Sequence, residues 1–192
     1  SLALKRGVEV TLLAGGDAEE AEAAALPDRV TASVAPGPSG NDAPGTLHMA
    51  ADVGALAGFP AIALAIEGGR RGLVPAAEAA AMLAPLGVPL VAVTAAASLP
   101  AIAEASGAGA LLTGISFGSP AASGRLVELV AAPDTGPEAR LAGLSLARTL
   151  GRLAIGTERA PIGPALWAAG RRAVEFMLTN GTPLGRVSAA LS

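Results

Sequence analysis

The chain has 192 residues, 52% of them apolar but only 2% aromatic, so any core must be built from Ala, Val and Leu with helices set close to a sheet. A net charge of −3 leaves no basic footprint for nucleic acid. The lack of Cys excludes disulfides and thiolate chemistry and fits a cytoplasmic protein.

Taken in order, Val8 to Leu13 has the β-rich composition of a strand, entered through Lys5-Arg6-Gly7 and left through Gly15-Gly16. Asp17 caps a predicted helix over Ala18 to Leu26, whose Glu19, Glu20 and Glu22 suit its positive N-terminal end. Arg29 to Val34 is a second predicted strand, and the Pro/Gly/Asn/Asp stretch from Ala35 to Thr46 a loop. A short helix is expected over Asp52 to Gly58 and a buried strand over Ala61 to Ile66. Gly68 to Gly72 is a polar turn, Pro75 to Leu86 an Ala-rich helix, and Val88 to Thr94 a continuous apolar strand. A helix over Leu99 to Ala105 leads to the strand Ala110 to Phe117. Ala79 to Ala103 carries no charge, but Pro85, Pro89, Pro100 and Gly87 would break a membrane-spanning helix repeatedly, so no membrane span is expected.

The stretch from Gly114 to Gly151 organises the remainder. Arg125 to Val130 is β-rich, and Thr135-Gly-Pro-Glu138 has the form of a capping box with Pro137 in the first turn. Leu141, Leu144, Ala147 and Leu150 then lie at helical spacing, and Gly151 is the expected stop. Arg152 to Ile155 is a last candidate strand. Ile162 to Asn180 is a long helix with Leu166, Ala169, Ala173 and Phe176 on one face. Apolar strands alternating with helices indicate an α/β fold, a doubly wound and mainly parallel sheet, followed by a long C-terminal helix.

Three segments in order, Ser116-Phe-Gly-Ser-Pro120, Leu126-Val-Glu-Leu129 and Thr135-Gly-Pro-Glu138, resemble the end of the nucleotide-binding domain of the 3-hydroxyacyl-CoA dehydrogenase family. That family carries His-Phe-Phe-Asn-Pro, then Leu-Val-Glu-Val, then a helix opening Thr-Ser-x-Glu. Val10 to Leu13, Ala55 to Gly58, Ile62 to Glu67 and Ser98-Leu99 fit the family's earlier places, and Arg171 to Gly181 is similar to the helix that opens its second, helical domain. The resemblance implies a Rossmann-like NAD-binding-type domain over residues 1–157 and the start of a helical, dimerisation-type domain over 158–192. It implies NAD as cofactor, an acyl-CoA-type small molecule as substrate, a homodimer through the C-terminal helix, and a place in fatty-acid β-oxidation. By the same match the chain begins inside or after the family's first helix. The missing first strand would be central, so the sheet must close its gap, bring in another segment, or pair with a second chain.

Carried over residue by residue, the resemblance gives a degenerate site. The family's general base, a His, falls on Ser116, and the Glu that orients it on Glu128. A family Ser falls near Ala97 and leaves Ser98 beside it, while a family Asn falls near Pro164. The acidic ribose acceptor falls on Ala14; Asp17 is the nearby substitute, a role that competes with its place as a helix cap. Glu67, closing its strand, is the other cofactor-side candidate, and Arg70-Arg71 could meet a CoA phosphate. Glu128 taken by itself is equally a paired strand residue. Gly114-Ile-Ser116-Phe-Gly118 also matches the nucleophile elbow of hydrolases, but that chemistry needs a His after the Ser, and the single histidine, His48, comes before it. No metal site is expected, with one His, no Cys and no ligand-spaced carboxylates beyond the Glu19/Glu20/Glu22 helix face. The competing function is a non-catalytic structural or interaction module of a larger β-oxidation protein.

Overall fold

The computed structural model describes residues 10–12, 47–49, 52–66, 72–93, 98–118 and 124–191. Five strands form the main sheet: β3 (Ile62–Ala65), β4 (Leu90–Val93), β5 (Leu112–Phe117), β6 (Leu126–Ala131) and β7 (Leu153–Glu158), hydrogen-bonded in that order. Every neighbouring pair is parallel except β5 and β6, which run antiparallel. A parallel sheet needs long crossovers, and three helices supply or accompany them: α1 (Leu73–Leu83), α2 (Leu99–Ser106) and α3 (Pro137–Thr149). Two more helices follow, α4 (Ile162–Thr179) and α5 (Leu184–Leu191). This is an α/β, Rossmann-like architecture.

One face of the sheet carries Ile62, Leu64, Leu90, Leu112 and Val130, packed against Ala76, Ala80 and Leu83 of α1 and Leu99, Ile102 and Ala103 of α2. Leu90, Ile102 and Leu112 are wholly excluded from solvent, each contributing about 1.5–3 kcal/mol of transfer free energy. The opposite face carries Val91, Ile115 and Val127 beneath α3, whose Ala147 is also fully buried. With so few aromatics, close approach replaces bulk: a Cβ on Gly143 of α3 would stand 3.0 Å from Thr113 Cγ2 and 3.4 Å from Leu129 Cδ2.

Several expectations shift. Val10–Leu12 (β1) pairs in parallel with Leu47–Met49 (β2), a strand not expected from the sequence, and these two form a sheet of their own. Among the described residues no strand joins β1 or β2 to β3. Arg29 to Val34, the Asp17-capped helix, the loop to Thr46 and the turn at Gly68 to Gly72 lie outside the described residues, apart from Gly72 itself. The helix expected over Asp52 to Gly58 is a 3₁₀ turn, Val53–Leu56, with the Asp52 carboxylate accepting from Ala55 N–H at 3.1 Å.

The capping box is corrected. Gly136, not Thr135, is the N-cap of α3, and no side chain caps it. The Thr135 hydroxyl is buried in the connection between β6 and α3 instead, accepting from Ala132 N–H at 2.8 Å and donating to Leu112 C=O at 2.9 Å. Those two partners, one three residues back and one in β5, satisfy it in the interior, where an unpaired hydroxyl is costly. Pro137 does occupy the first turn, and Gly151, at φ 64°, ends the helix with Gly151 N–H on Arg148 C=O and Arg152 N–H on Ala147 C=O, a Schellman pair. The apolar face is corrected too: Ala139, Gly143, Ala147 and Leu150 face inward while Leu141 is 61% exposed. No helix among the described residues is long and apolar enough to cross a membrane.

Candidate functional site

In open α/β sheets ligands collect at the carboxyl ends of the parallel strands. Ser116, next to last in β5, lies there, and antiparallel pairing brings Glu128 of β6 directly opposite it in register. Directly opposed residues present their side chains on the same face. The neighbouring pair on that face is Gly114 and Val130, and above Gly114 sits the start of α2: a Cβ there would meet Leu99 Cδ2 at 3.4 Å. Ser98, the N-cap of α2, therefore belongs to the same end of the sheet. Three of the residues singled out from the sequence, Ser116, Glu128 and Ser98, are gathered on one face by this topology.

Their states differ. Ser116 is 2% exposed and lies inside a strand that continues through Phe117. A nucleophile elbow places its Ser on a sharp turn between strand and helix, so the hydrolase alternative is excluded by backbone geometry. Ser98 is exposed, and its hydroxyl accepts from Ala101 N–H at 3.5 Å, a capping role. Glu128 is engaged at both oxygens: Oε1 accepts from Gly163 N–H at 2.8 Å, and Oε2 accepts from Ile162 N–H. A carboxylate at a helix N-terminus is favoured by the unpaired N–H groups and the positive end of the helix dipole.

The sequence did not point to Ile162 or Gly163. The signal was nevertheless present in Pro161-Ile-Gly-Pro164, where two prolines frame the only two N–H groups at the start of the helix. Asp17, Glu67, Ala14, Ala97 and the Arg70-Arg71 pair lie outside the described residues, and His48 is placed only by its backbone, opposite Thr11 in β2. Among the described residues no group of three His, Asp or Glu side chains could hold a metal ion.

No protein-family model and no curated protein matches the sequence. Solved structures do match its shape. A 3-hydroxyacyl-CoA dehydrogenase from Archaeoglobus fulgidus superposes with a TM-score of 0.76 at 17% identity, over 97% of this chain and 61% of its own. The chain has the fold of the 3-hydroxyacyl-CoA dehydrogenases. The (S)-3-hydroxybutyryl-CoA dehydrogenase PaaH1 of Ralstonia eutropha gives 0.69 at 18% identity, over 95% of this chain and 67% of its own. The same dehydrogenase fold serves 5-formyl-3-hydroxy-2-methylpyridine 4-carboxylic acid 5-dehydrogenase, an NAD+-dependent dismutase, which gives 0.71 at 15% identity over 95% of this chain and 61% of its own. One scaffold thus carries different substrates, and the activity of any one copy is decided by its site. The chain spans about three fifths of the Archaeoglobus protein's length.

Proposed function

We propose that this chain is a degenerate member of the 3-hydroxyacyl-CoA dehydrogenase family, with little or no turnover of 3-hydroxyacyl-CoA. The observation that carries this reading is the buried Ser116 directly opposite Glu128, where the family resemblance puts the general base. A serine hydroxyl does not titrate near neutral pH and cannot take the substrate's proton as an imidazole does. Two further positions support the same reading: Pro164 offers no side-chain hydrogen bond where the family has Asn, and Ala14 offers no acceptor for a ribose hydroxyl. NAD and an acyl-CoA-type molecule are the ligands the resemblance implies, and the chain's place would be cytoplasmic β-oxidation.

The second reading, a non-catalytic interaction module of a larger β-oxidation protein, is favoured by α4, which buries none of its residues and exposes Leu166, Trp167 and Phe176 at 67%, 79% and 68%. Exposed apolar faces of this kind mark interfaces. Both readings predict no reduction of acetoacetyl-CoA with NADH above background, since losing a positioned base alone costs about 10²–10⁴-fold in rate. Turnover that disappears in Glu128→Gln would overturn them and restore an active enzyme. Separate calorimetric titrations divide the two: binding of CoA supports a retained acyl-CoA scaffold, and binding of neither CoA nor NAD supports the interaction module.

A further inference from the structure

The first four N–H groups of a helix, from the N-cap to the third helical residue, find no partner inside it. In α4 these positions are Pro161, Ile162, Gly163 and Pro164. Proline has no N–H, so two of the four donors do not exist. The other two, on Ile162 and Gly163, both go to the carboxylate of Glu128, one to each oxygen, from 34 and 35 residues away. The local cap is empty, because Pro161 has no side-chain acceptor. Apolar packing holds this helix only in part, since none of its residues is fully buried. A Cβ on Gly163 would stand 2.9 Å from Glu128 Oε1, the far end of a flexible side chain that can shift to make room.

We infer that Glu128 is the positioning residue that fixes where α4 leaves the sheet, a clasp that supplies all of the helix's N-terminal capping. The clasp ties the site to the surface. Glu128 faces Ser116 across the β5–β6 pair, and the helix it holds carries the exposed Leu166, Trp167 and Phe176. It goes beyond the proposed loss of activity and does not depend on it, because neither NAD nor CoA takes part.

The test is amide hydrogen exchange by NMR on the full chain, with time-resolved anisotropy of Trp167, the only tryptophan, as a second readout. In Glu128→Ala the amides of Ile162 and Gly163 should exchange at least about tenfold faster, the low end for a bond to a charged acceptor. The Ile115 and Val130 amides of the β5–β6 pair should keep their rates, and Trp167 anisotropy should fall. Glu128→Gln keeps one acceptor oxygen, so it should protect one of the two amides and fall between wild type and Ala. Glu128→Gln, nearly the same shape as the native side chain, decides the matter if Glu128→Ala does not fold. Unchanged exchange at Ile162 and Gly163 in whichever of these variants folds would overturn the clasp, as would a rise spread equally over Ile115 and Val130.

Discussion

Gly136 shows how much a single residue can carry in a chain this poor in large side chains. Its N–H donates to Ala110 C=O at 2.9 Å, and a Cβ in its place would lie 2.7 Å from the same oxygen. The hydrogen bond and the lack of a side chain are therefore one requirement, because the loop before α3 must touch the turn before β5. Gly136→Ala should force a backbone shift and lower stability by about 1–3 kcal/mol, as overpacking of an interior contact does, read as a lower urea midpoint at unchanged slope. Its neighbour Thr135 joins the same two segments through its hydroxyl. Thr135→Val preserves the shape but strands Ala132 N–H and Leu112 C=O, and should cost a similar 1–3 kcal/mol or so. A capping role would predict a smaller loss confined to helix fraying. Ser116 poses the opposite case, a buried polar residue whose meaning comes from the Glu128 across from it rather than from its own chemistry.

The third helix is read differently by its sequence and by its surroundings. Size selects Leu141, Leu144 and Leu150 as the apolar face, yet the helix turns Ala139, Gly143 and Ala147 toward the sheet and leaves Leu141 61% exposed. The reason is distance: the helix lies so near Thr113 and Leu129 that only small residues fit beneath its middle, and Leu150 is accommodated at the end, where it is 6% exposed. Two substitutions of identical chemistry should therefore part company. Leu150→Ala should lose about 2–5 kcal/mol in chemical denaturation, the range for emptying a core site. Leu141→Ala should stay within about 0.5 kcal/mol of wild type. Equal losses in both would mean that the helix is rotated from the orientation described.

At the scale of the molecule, the long fourth helix has none of its residues fully buried among the described residues. Ile162, Leu166, Ala169, Ala173 and Phe176 recur at spacings of four and three, the seam through which helices pair, and Ile162, Leu166 and Phe176 are 53%, 67% and 68% exposed. The expected outcome is a homodimer closed over this seam, with a dimeric mass by light scattering at micromolar concentration. Leu166→Asp with Phe176→Asp should return a monomer with the α/β unit still folded; a monomeric wild type would remove the proposal. What the sequence determined by itself is what periodicity and punctuation can encode locally. The strands at Ile62, Leu90 and Leu112, the helices between them, the stop at Gly151 and the α/β class all follow from runs of a few residues. Ser116 and Glu128 are visible in the sequence one by one, but their direct opposition requires β6 to turn back antiparallel on β5. Only the tertiary structure decided that, together with the buried duty of Thr135, the inward face of α3, and the separate pairing of β1 with β2. Glu128 at the start of α4 is the clearest instance, since its two donors lie 34 and 35 residues along the chain. Local sequence sets which conformations a segment prefers, whereas the partner of a buried or capping polar group is set by whatever the folded chain brings within hydrogen-bonding reach.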